Sequence, residues 1–269
     1  RKSLYVNNSL ILEAFIKPYR SYFKVISFGL LMLFLSFINA ANAQNFNPKN
    51  EELLNDIAFI SSVEKFENHK QWNSLIRKLE RKSKADEEYF LEYLFYKTHQ
   101  NLLKEYNKGT TFTSLLETGS YDCVSASITY SVLLKYFDIE HSIIETDYHV
   151  FIIAKVNNQE FILETTDPRY GFVSHAEDVK DFKADFLPNI NSAQLNQNES
   201  VGSSVYGQPN SKTIYKEISL RQLSALQYFN QGLIAMQNKD YKLASRRLQQ
   251  ALNLYDSERI NMLFKIVAP

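Results

Sequence analysis

The chain has 269 residues, of which 45% are hydrophobic and 22% are charged, and its 30 basic and 30 acidic side chains give a formal net charge of zero. This balance, with no basic run interleaved with aromatic residues, argues against nucleic-acid binding. The single cysteine, Cys123, excludes an intramolecular disulfide. No His or Cys spacing is typical of zinc ligands, and we therefore predict neither a metal nor an organic cofactor.

The first segment has the pattern of an export signal. Lys24 precedes a short apolar stretch at 25–37, and an Ala-Asn-Ala motif at 41–43 supplies the small residues of a cleavage site. We therefore predict that residues 1–43 comprise an upstream segment and a signal peptide, and that the protein is exported to the periplasm or the extracellular space. The alternative is an uncleaved anchor through residues 25–38, and only then do we expect membrane association.

Residues 44–109 are predicted to form a helical N-terminal region. Hydrophobic side chains recur at helical spacing in three stripes, and the third stripe runs as far as Tyr106. His99 lies about one helical turn from Phe95 and Leu102 on this stripe. This position favours a core histidine over a catalytic one.

After a linking segment at 110–118, the sequence predicts a buried helix that begins at the cysteine. Gly119 and Ser120 favour a turn, and Asp122 is suited to cap a helix. Cys123 would then occupy the first helical turn, where the partial positive charge of the helix end favours a thiolate. A lone cysteine is more often a small buried hydrophobic side chain, so that both interpretations stay open at this point.

A strand at 142–146 and a β-hairpin are predicted next. Two runs rich in β-branched and aromatic residues, 149–156 and 159–165, flank two asparagines at 157–158. This pattern is typical of a hairpin with a two-residue type I′ turn.

The hairpin register brings an acid and a base together. With a two-residue loop, His149 and Glu164 lie diagonally on one face, about 7–8 Å apart at Cα, while Asp167 points the other way. A three-residue loop would reverse the faces and select Asp167. We prefer Glu164 and keep Asp167 as the runner-up. Cys123, His149 and Glu164 then supply a nucleophile, a base and a group that orients the base.

Three motifs resemble those of the transglutaminase-like cysteine family, which belongs to the papain-like group. They are GSYDCVS at 119–125, HVFI at 149–152 and FILETTDP at 161–168. The resemblance covers roughly residues 110–175 and implies a helix packed on an antiparallel sheet, with Cys123 as nucleophile and His149 as base. The third member falls on Glu164, where the family usually has Asp, and Tyr121 stands where the family often has Gly.

Two aromatic residues next to the catalytic candidates are predicted to bind the substrate. They are Tyr121, two residues before the cysteine, and Tyr148, directly before the histidine. The resemblance implies a protein or peptide substrate that is attacked at an amide bond.

The C-terminal part is helical again. Residues 191–214 are rich in Asn, Ser, Gln and Gly, and are predicted to be a polar linker. Residues 215–269 resemble a tetratricopeptide (TPR) helical pair in their alternation of small and large residues, with small residues at Gly232 and Ala251. Such a pair could dock on the catalytic core or bind a protein partner, and the sequence leaves both open.

Together these patterns predict an α+β fold, with a papain/transglutaminase-like core at 110–190 between the N-terminal helices and the TPR-like pair. The predicted function is exported, cysteine-dependent acyl transfer on amide bonds, with hydrolysis favoured over amine cross-linking. The alternative is a non-catalytic binding protein that keeps the same fold and uses its TPR-like helices for protein interaction.

Overall fold

The computed structural model describes residues 69–186 and 214–268. Within these ranges the chain forms eight helices and seven strands, which confirms the predicted combination of helices with an antiparallel sheet. The helices are α1 (Lys70–Glu80), α2 (Glu87–Asn101), α3 (Phe112–Thr118), α4 (Cys123–Tyr136), α5 (Ala176–Phe186), α6 (Leu220–Gln237), α7 (Tyr241–Leu254) and α8 (Glu258–Val267). The strands are β1 (Glu105–Tyr106), β2 (Ser120–Tyr121), β3 (Glu140–Thr146), β4 (Val150–Val156), β5 (Gln159–Leu163), β6 (Phe172–Val173) and β7 (Tyr215–Ile218).

The predicted signal segment and most of the predicted linker lie outside these ranges. No helix in the described part of the chain has both the length and the hydrophobicity needed to cross a bilayer.

The main sheet has five antiparallel strands in the order β6-β5-β4-β3-β7. Asn157 and Asn158 join β4 to β5 with φ angles of 51° and 63°, the conformation that a type I′ turn requires. Val156 pairs with Gln159, so the predicted two-residue loop and its register are confirmed.

Helix α4 crosses one face of this sheet and forms the centre of the molecule. Every residue from Val124 to Leu134 is buried, and the helix packs against β3 and β4. Small side chains near its start, at 125–127, allow this close approach. Helix α5 covers the opposite face, where Val179 packs with Phe151 and Ile162. The central strands are therefore buried on both sides.

Two local predictions were wrong. Helix α2 ends at Asn101, and Tyr106 lies in β1, which pairs in parallel with β2. The linking segment, for which no conformation was predicted, contains helix α3 at 112–118. Residues 215–218 form strand β7 at the edge of the sheet rather than the start of the C-terminal helices. Strands β1 and β7 are too short to leave a periodic signal in the sequence. Each is a strand only because it pairs with residues that are distant in the chain.

The C-terminal helices share the main hydrophobic core with α4. Leu226, Leu248 and Leu263, from α6, α7 and α8, belong to the same buried cluster as the residues of α4. A direct polar contact joins the two parts, because Gln227 Oε1 accepts a hydrogen bond of 2.6 Å from the Phe112 backbone N–H. These helices are therefore docked on the core.

Candidate active site

The cysteine lies at the start of α4 because its neighbours form a capping box. Asp122 accepts a 2.8 Å hydrogen bond from the Ser125 N–H, while the Ser125 hydroxyl accepts one of 2.9 Å from the Asp122 N–H. Asp122 is 2% exposed, and its burial raises the pKa of the carboxyl group. The cap leaves Cys123 partly exposed in the first turn of the helix, as predicted.

His149 lies in the turn between β3 and β4. Two hydrogen bonds close this turn: the Thr146 N–H donates to the His149 carbonyl at 2.9 Å, and the His149 N–H donates to Thr146 Oγ1 at 3.1 Å. The imidazole stacks against Phe186 of α5, with ring centroids 6.1 Å apart and an interplanar angle of 21°. The Cys123 side chain also interacts with the imidazole and is one of the groups that raise its pKa.

Glu164 follows the last residue of β5 and contacts the other side of the histidine. The distance between His149 Nε2 and Glu164 Oε2 is 2.5 Å. The second carboxylate oxygen accepts hydrogen bonds from the Thr166 N–H at 3.0 Å and the Thr166 hydroxyl at 2.5 Å. Because Nε2 is used by Glu164, Nδ1 is the ring nitrogen left for Cys123.

The charges of these groups support one another. Burial lowers the pKa of His149, but its hydrogen bonds and charge interactions with Cys123 and Glu164 outweigh burial and raise this pKa to about 10. Burial raises the pKa of Glu164, but the contacts with His149 and Thr166 prevail and lower it. At neutral pH an imidazolium therefore lies between the Cys123 side chain and a carboxylate.

Asp167 lies in the turn that follows and does not contact the histidine ring. Its carboxylate accepts hydrogen bonds from the Arg169 N–H at 2.9 Å and the Tyr170 N–H at 3.0 Å. Gly171 closes this turn tightly, because an added Cβ would lie 2.2 Å from the Glu164 carbonyl oxygen. The structure therefore brings Cys123, His149 and Glu164 together and leaves Asp167 with a local backbone role.

The two tyrosines predicted to bind substrate differ in exposure. Tyr121 is only 6% exposed and packs edge-on against Tyr106 and His99, with ring centroids 5.9 Å and 6.1 Å away. This burial contradicts a direct contact between the Tyr121 ring and a substrate. Tyr148 is 60% exposed and lies 6.3 Å from the Phe186 ring.

One residue beside the cysteine was missed from the sequence. Tyr106 is 49% exposed, and burial together with the charge of Cys123 raises its pKa to about 12. It reaches this position because β1 pairs with β2, which leads directly into the cysteine helix. The sequence pattern assigned Tyr106 to a helix, because it lies four residues after Leu102.

His99 is a core histidine, as predicted. It is 5% exposed, neither ring nitrogen has a hydrogen-bonding partner, and burial lowers its pKa to about 4. It packs against the stacked aromatic rings of Phe95 and Tyr130 and is neutral at physiological pH.

No group of three or more His, Cys, Asp or Glu side chains in residues 69–186 and 214–268 is arranged to hold a metal ion. Comparisons of the chain with models of known families, with curated proteins and with solved structures gave no match. The chemistry of the chain therefore has to be inferred from the geometry of Cys123, His149 and Glu164.

Proposed function

We propose that this chain is an exported, cysteine-dependent acyl-transfer enzyme that acts on amide bonds of a protein or peptide. The observation that carries this proposal is that the His149 imidazole interacts with the Cys123 side chain and is hydrogen-bonded to Glu164, with Nε2 and Oε2 2.5 Å apart. Nucleophilic catalysis by a thiol requires a base that is itself oriented by a third group.

In the proposed reaction, His149 holds the thiol proton and the Cys123 thiolate attacks the amide carbonyl carbon. The tetrahedral intermediate collapses when the C–N bond breaks, and His149 gives its proton to the leaving amine. A thioester on Cys123 remains. Water then attacks the thioester while His149 removes one of its protons, and the carboxylic acid leaves as the thiol re-forms. Glu164 keeps the imidazole oriented and stabilises its charged form throughout.

The oxyanion of the intermediate needs hydrogen-bond donors. The Cys123 backbone N–H is one candidate, because the first N–H groups of a helix have no partner within that helix. The Tyr106 hydroxyl is the second candidate, because Tyr106 is half exposed and lies in β1, whose partner strand β2 leads into Cys123. Exchange of Tyr106 for Phe would remove this donor and keep the ring.

Two further features support the two resemblances, to the transglutaminase-like family and to a TPR helical pair. The nucleophile begins a helix that packs on an antiparallel sheet, and the base and the acid adjoin neighbouring strands of that sheet. In the C-terminal pair, a Cβ at Gly232 would lie 2.9 Å from Leu248 Cγ, as expected where small residues let TPR-like helices approach closely.

Alkylation of the thiol by iodoacetamide tests the proposal without a known substrate. An ion-paired thiolate reacts well below about pH 7, whereas an ordinary thiol reacts mainly near its usual pKa of about 8.5. We expect the wild type to react rapidly at pH 6, and His149→Gln to lose this reaction while it stays folded by circular dichroism. Cys123→Ser is the control for the site of labelling. A wild type that reacts only under alkaline conditions would refute the proposal.

The acceptor of the acyl group is tested separately. Water is the default acceptor, and we propose hydrolysis rather than amine cross-linking. Casein incubated with a dansylated amine should release new amino or carboxyl groups without gaining fluorescence. Covalent incorporation of the amine that depends on Cys123 would instead identify a cross-linking enzyme.

A second candidate function is supported by the outer surface of the C-terminal helices. An open groove between α7 and α8 is lined by Leu243, Arg246, Arg247 and Phe264, among others. If the thiol is not activated, a non-catalytic protein that binds a partner in this groove becomes the better proposal.

A further inference from the structure

The turn that carries His149 is held from outside the catalytic region by Arg259 of α8. One nitrogen of the guanidinium, Nη1, donates a hydrogen bond of 3.3 Å to the carbonyl oxygen of Asp147. The other terminal nitrogen, Nη2, donates to Glu145 Oε1. Arg259 therefore contacts the chain on both sides of Thr146, the residue that opens the turn.

Other side chains fix the guanidinium in this position. Glu145 is 1% exposed, and its second oxygen accepts a 2.7 Å hydrogen bond from the Tyr255 hydroxyl. The guanidinium lies 4.8 Å from the centre of the Phe229 ring. Lys216 reaches the same carboxylate at 3.9 Å from the exposed side. Contacts from β3, from α6 and from the segment between α7 and α8 therefore fix the position of Arg259.

Asp147 and His149 belong to the same short turn. The two residues are separated only by Tyr148, and the hydrogen bonds between Thr146 and His149 make the turn a closed unit. Asp147 is anchored a second time, because its carboxylate accepts a 2.8 Å hydrogen bond from the Ile214 N–H. The Arg259 contact is thus one of several hydrogen bonds that hold the backbone of the turn from which the His149 side chain extends.

The same group of helices also reaches the nucleophile. Asn230 of α6 forms a side-chain hydrogen bond with Asp122, the cap of the cysteine helix. The C-terminal helices thus contact the segment beside Cys123 and the segment beside His149.

We propose that Arg259 is a positioning residue that sets the distance between His149 and Cys123, so that α6–α8 belong to the catalytic apparatus. This inference rests on the proposed function of the site. Its physical basis is that displacement of a catalytic group by about 1 Å can lower a rate about 100-fold.

The decisive variant is Arg259→Lys. A lysine keeps a positive charge beside Glu145, but its single ammonium group lacks the rigid fork that bonds two acceptors together. We expect iodoacetamide alkylation of the full chain at pH 6 to fall at least about tenfold, while the rate at pH 9, which needs no base, changes less than about twofold. The ratio of the two rates therefore reports the position of His149.

Two matched variants separate positioning from stability. Arg77→Lys makes the same change at an exposed residue of α1, and it should leave the ratio unchanged. Tyr255→Phe removes a hydrogen bond from Glu145 without touching Asp147, and it should lower the melting temperature but keep the ratio. If Arg259→Lys does not fold, the uncharged pair Glu145→Gln with Arg259→Gln replaces it, and the same loss at pH 6 is expected.

Three results would overturn the inference. The first is a folded Arg259→Lys protein, or the uncharged pair, with the wild-type ratio. The second is a Tyr255→Phe protein whose ratio falls as far as that of Arg259→Lys, since the effect would then be general destabilisation. The third is a wild type without reactivity at pH 6, which refutes the proposed function and the positioning role together. Only the first two leave the proposed function standing.

Discussion

Two acid–base pairs, one partly exposed and one buried, adjoin neighbouring parts of the main sheet, and they differ in the cation. Glu164 pairs with His149, and their side chains are 15% and 16% exposed. Glu145 pairs with Arg259, and their side chains are 1% and 9% exposed. In each pair both oxygens of the carboxylate accept hydrogen bonds from the surrounding residues.

This difference in the cation suits the two pairs to different roles, one in proton transfer and the other in holding the backbone. An imidazole can give up its proton and take it back, whereas a guanidinium keeps its proton at any pH a protein tolerates. The His149 pair therefore suits proton transfer at a surface that a substrate can reach. The Arg259 pair suits a fixed geometry, and it lies directly beneath the turn that carries the histidine.

Removal of the Glu164 charge should have the largest effect on the reactivity of Cys123. Glu164→Gln keeps the shape of the side chain but cannot stabilise the imidazolium. We expect alkylation at pH 6 and any amide turnover to fall by orders of magnitude, in line with a loss of about 10⁴-fold for the equivalent change in a serine triad. Circular dichroism should show an unchanged fold. A variant that keeps the wild-type pH profile would remove Glu164 from the site.

Breaking the second pair should act on stability. Arg259→Met leaves the Glu145 carboxylate buried without its main cation, and we expect a loss of about 3–5 kcal/mol in the free energy of unfolding, measured with urea. Addition of Glu145→Gln should recover most of this loss, because the unpaired charge is gone. No recovery in the double variant would mean that packing of the arginine matters more than its charge.

The two pairs should also differ in their response to pH. The pKa of His149 is raised from 6.5 to about 10, so the pair with Glu164 stabilises the fold fully below about pH 6.5 and loses this contribution as the pH rises through 10. The difference in melting temperature between the wild type and His149→Gln should therefore shrink between pH 7 and pH 10. A constant difference would contradict a charged imidazole in the folded protein.

The smallest effect on reactivity and stability is expected at Asp167, the carboxylate that does not contact His149. Asp167→Asn keeps an oxygen for the Arg169 and Tyr170 N–H groups, so stability should stay within about 0.5 kcal/mol and the alkylation profile should not move. If this variant shifts the profile and Glu164→Gln does not, Asp167 is the third member of the site.

Local sequence signals were sufficient for much of the site. The two asparagines at 157–158 determine the hairpin register, and that register brings Glu164 rather than Asp167 to His149. Asp122 and Ser125 form a cap from residues three positions apart, so the location of Cys123 at the helix start follows from neighbours in the sequence.

The missed features all depend on distant partners. Tyr106 joins a two-residue strand only because Tyr121 pairs with it, and β7 becomes a strand only beside β3. Arg259 and Glu145 are separated by 114 residues, and neither carries a pattern that points to the other. Periodicity describes burial along one element and has no information about such pairs.

The contact between Arg259 and Asp147 spans 112 residues, and this separation has a consequence in time. At about 5–20 residues per second, a ribosome needs roughly 6–20 seconds to pass from the turn that carries His149 to the arginine that holds it. During this interval the nascent chain already contains the cysteine and the histidine, but not the support that we propose to align them. On this proposal the thiol becomes a strong nucleophile only after the C-terminal helices have folded onto the core, which delays reactivity until α8 has been made.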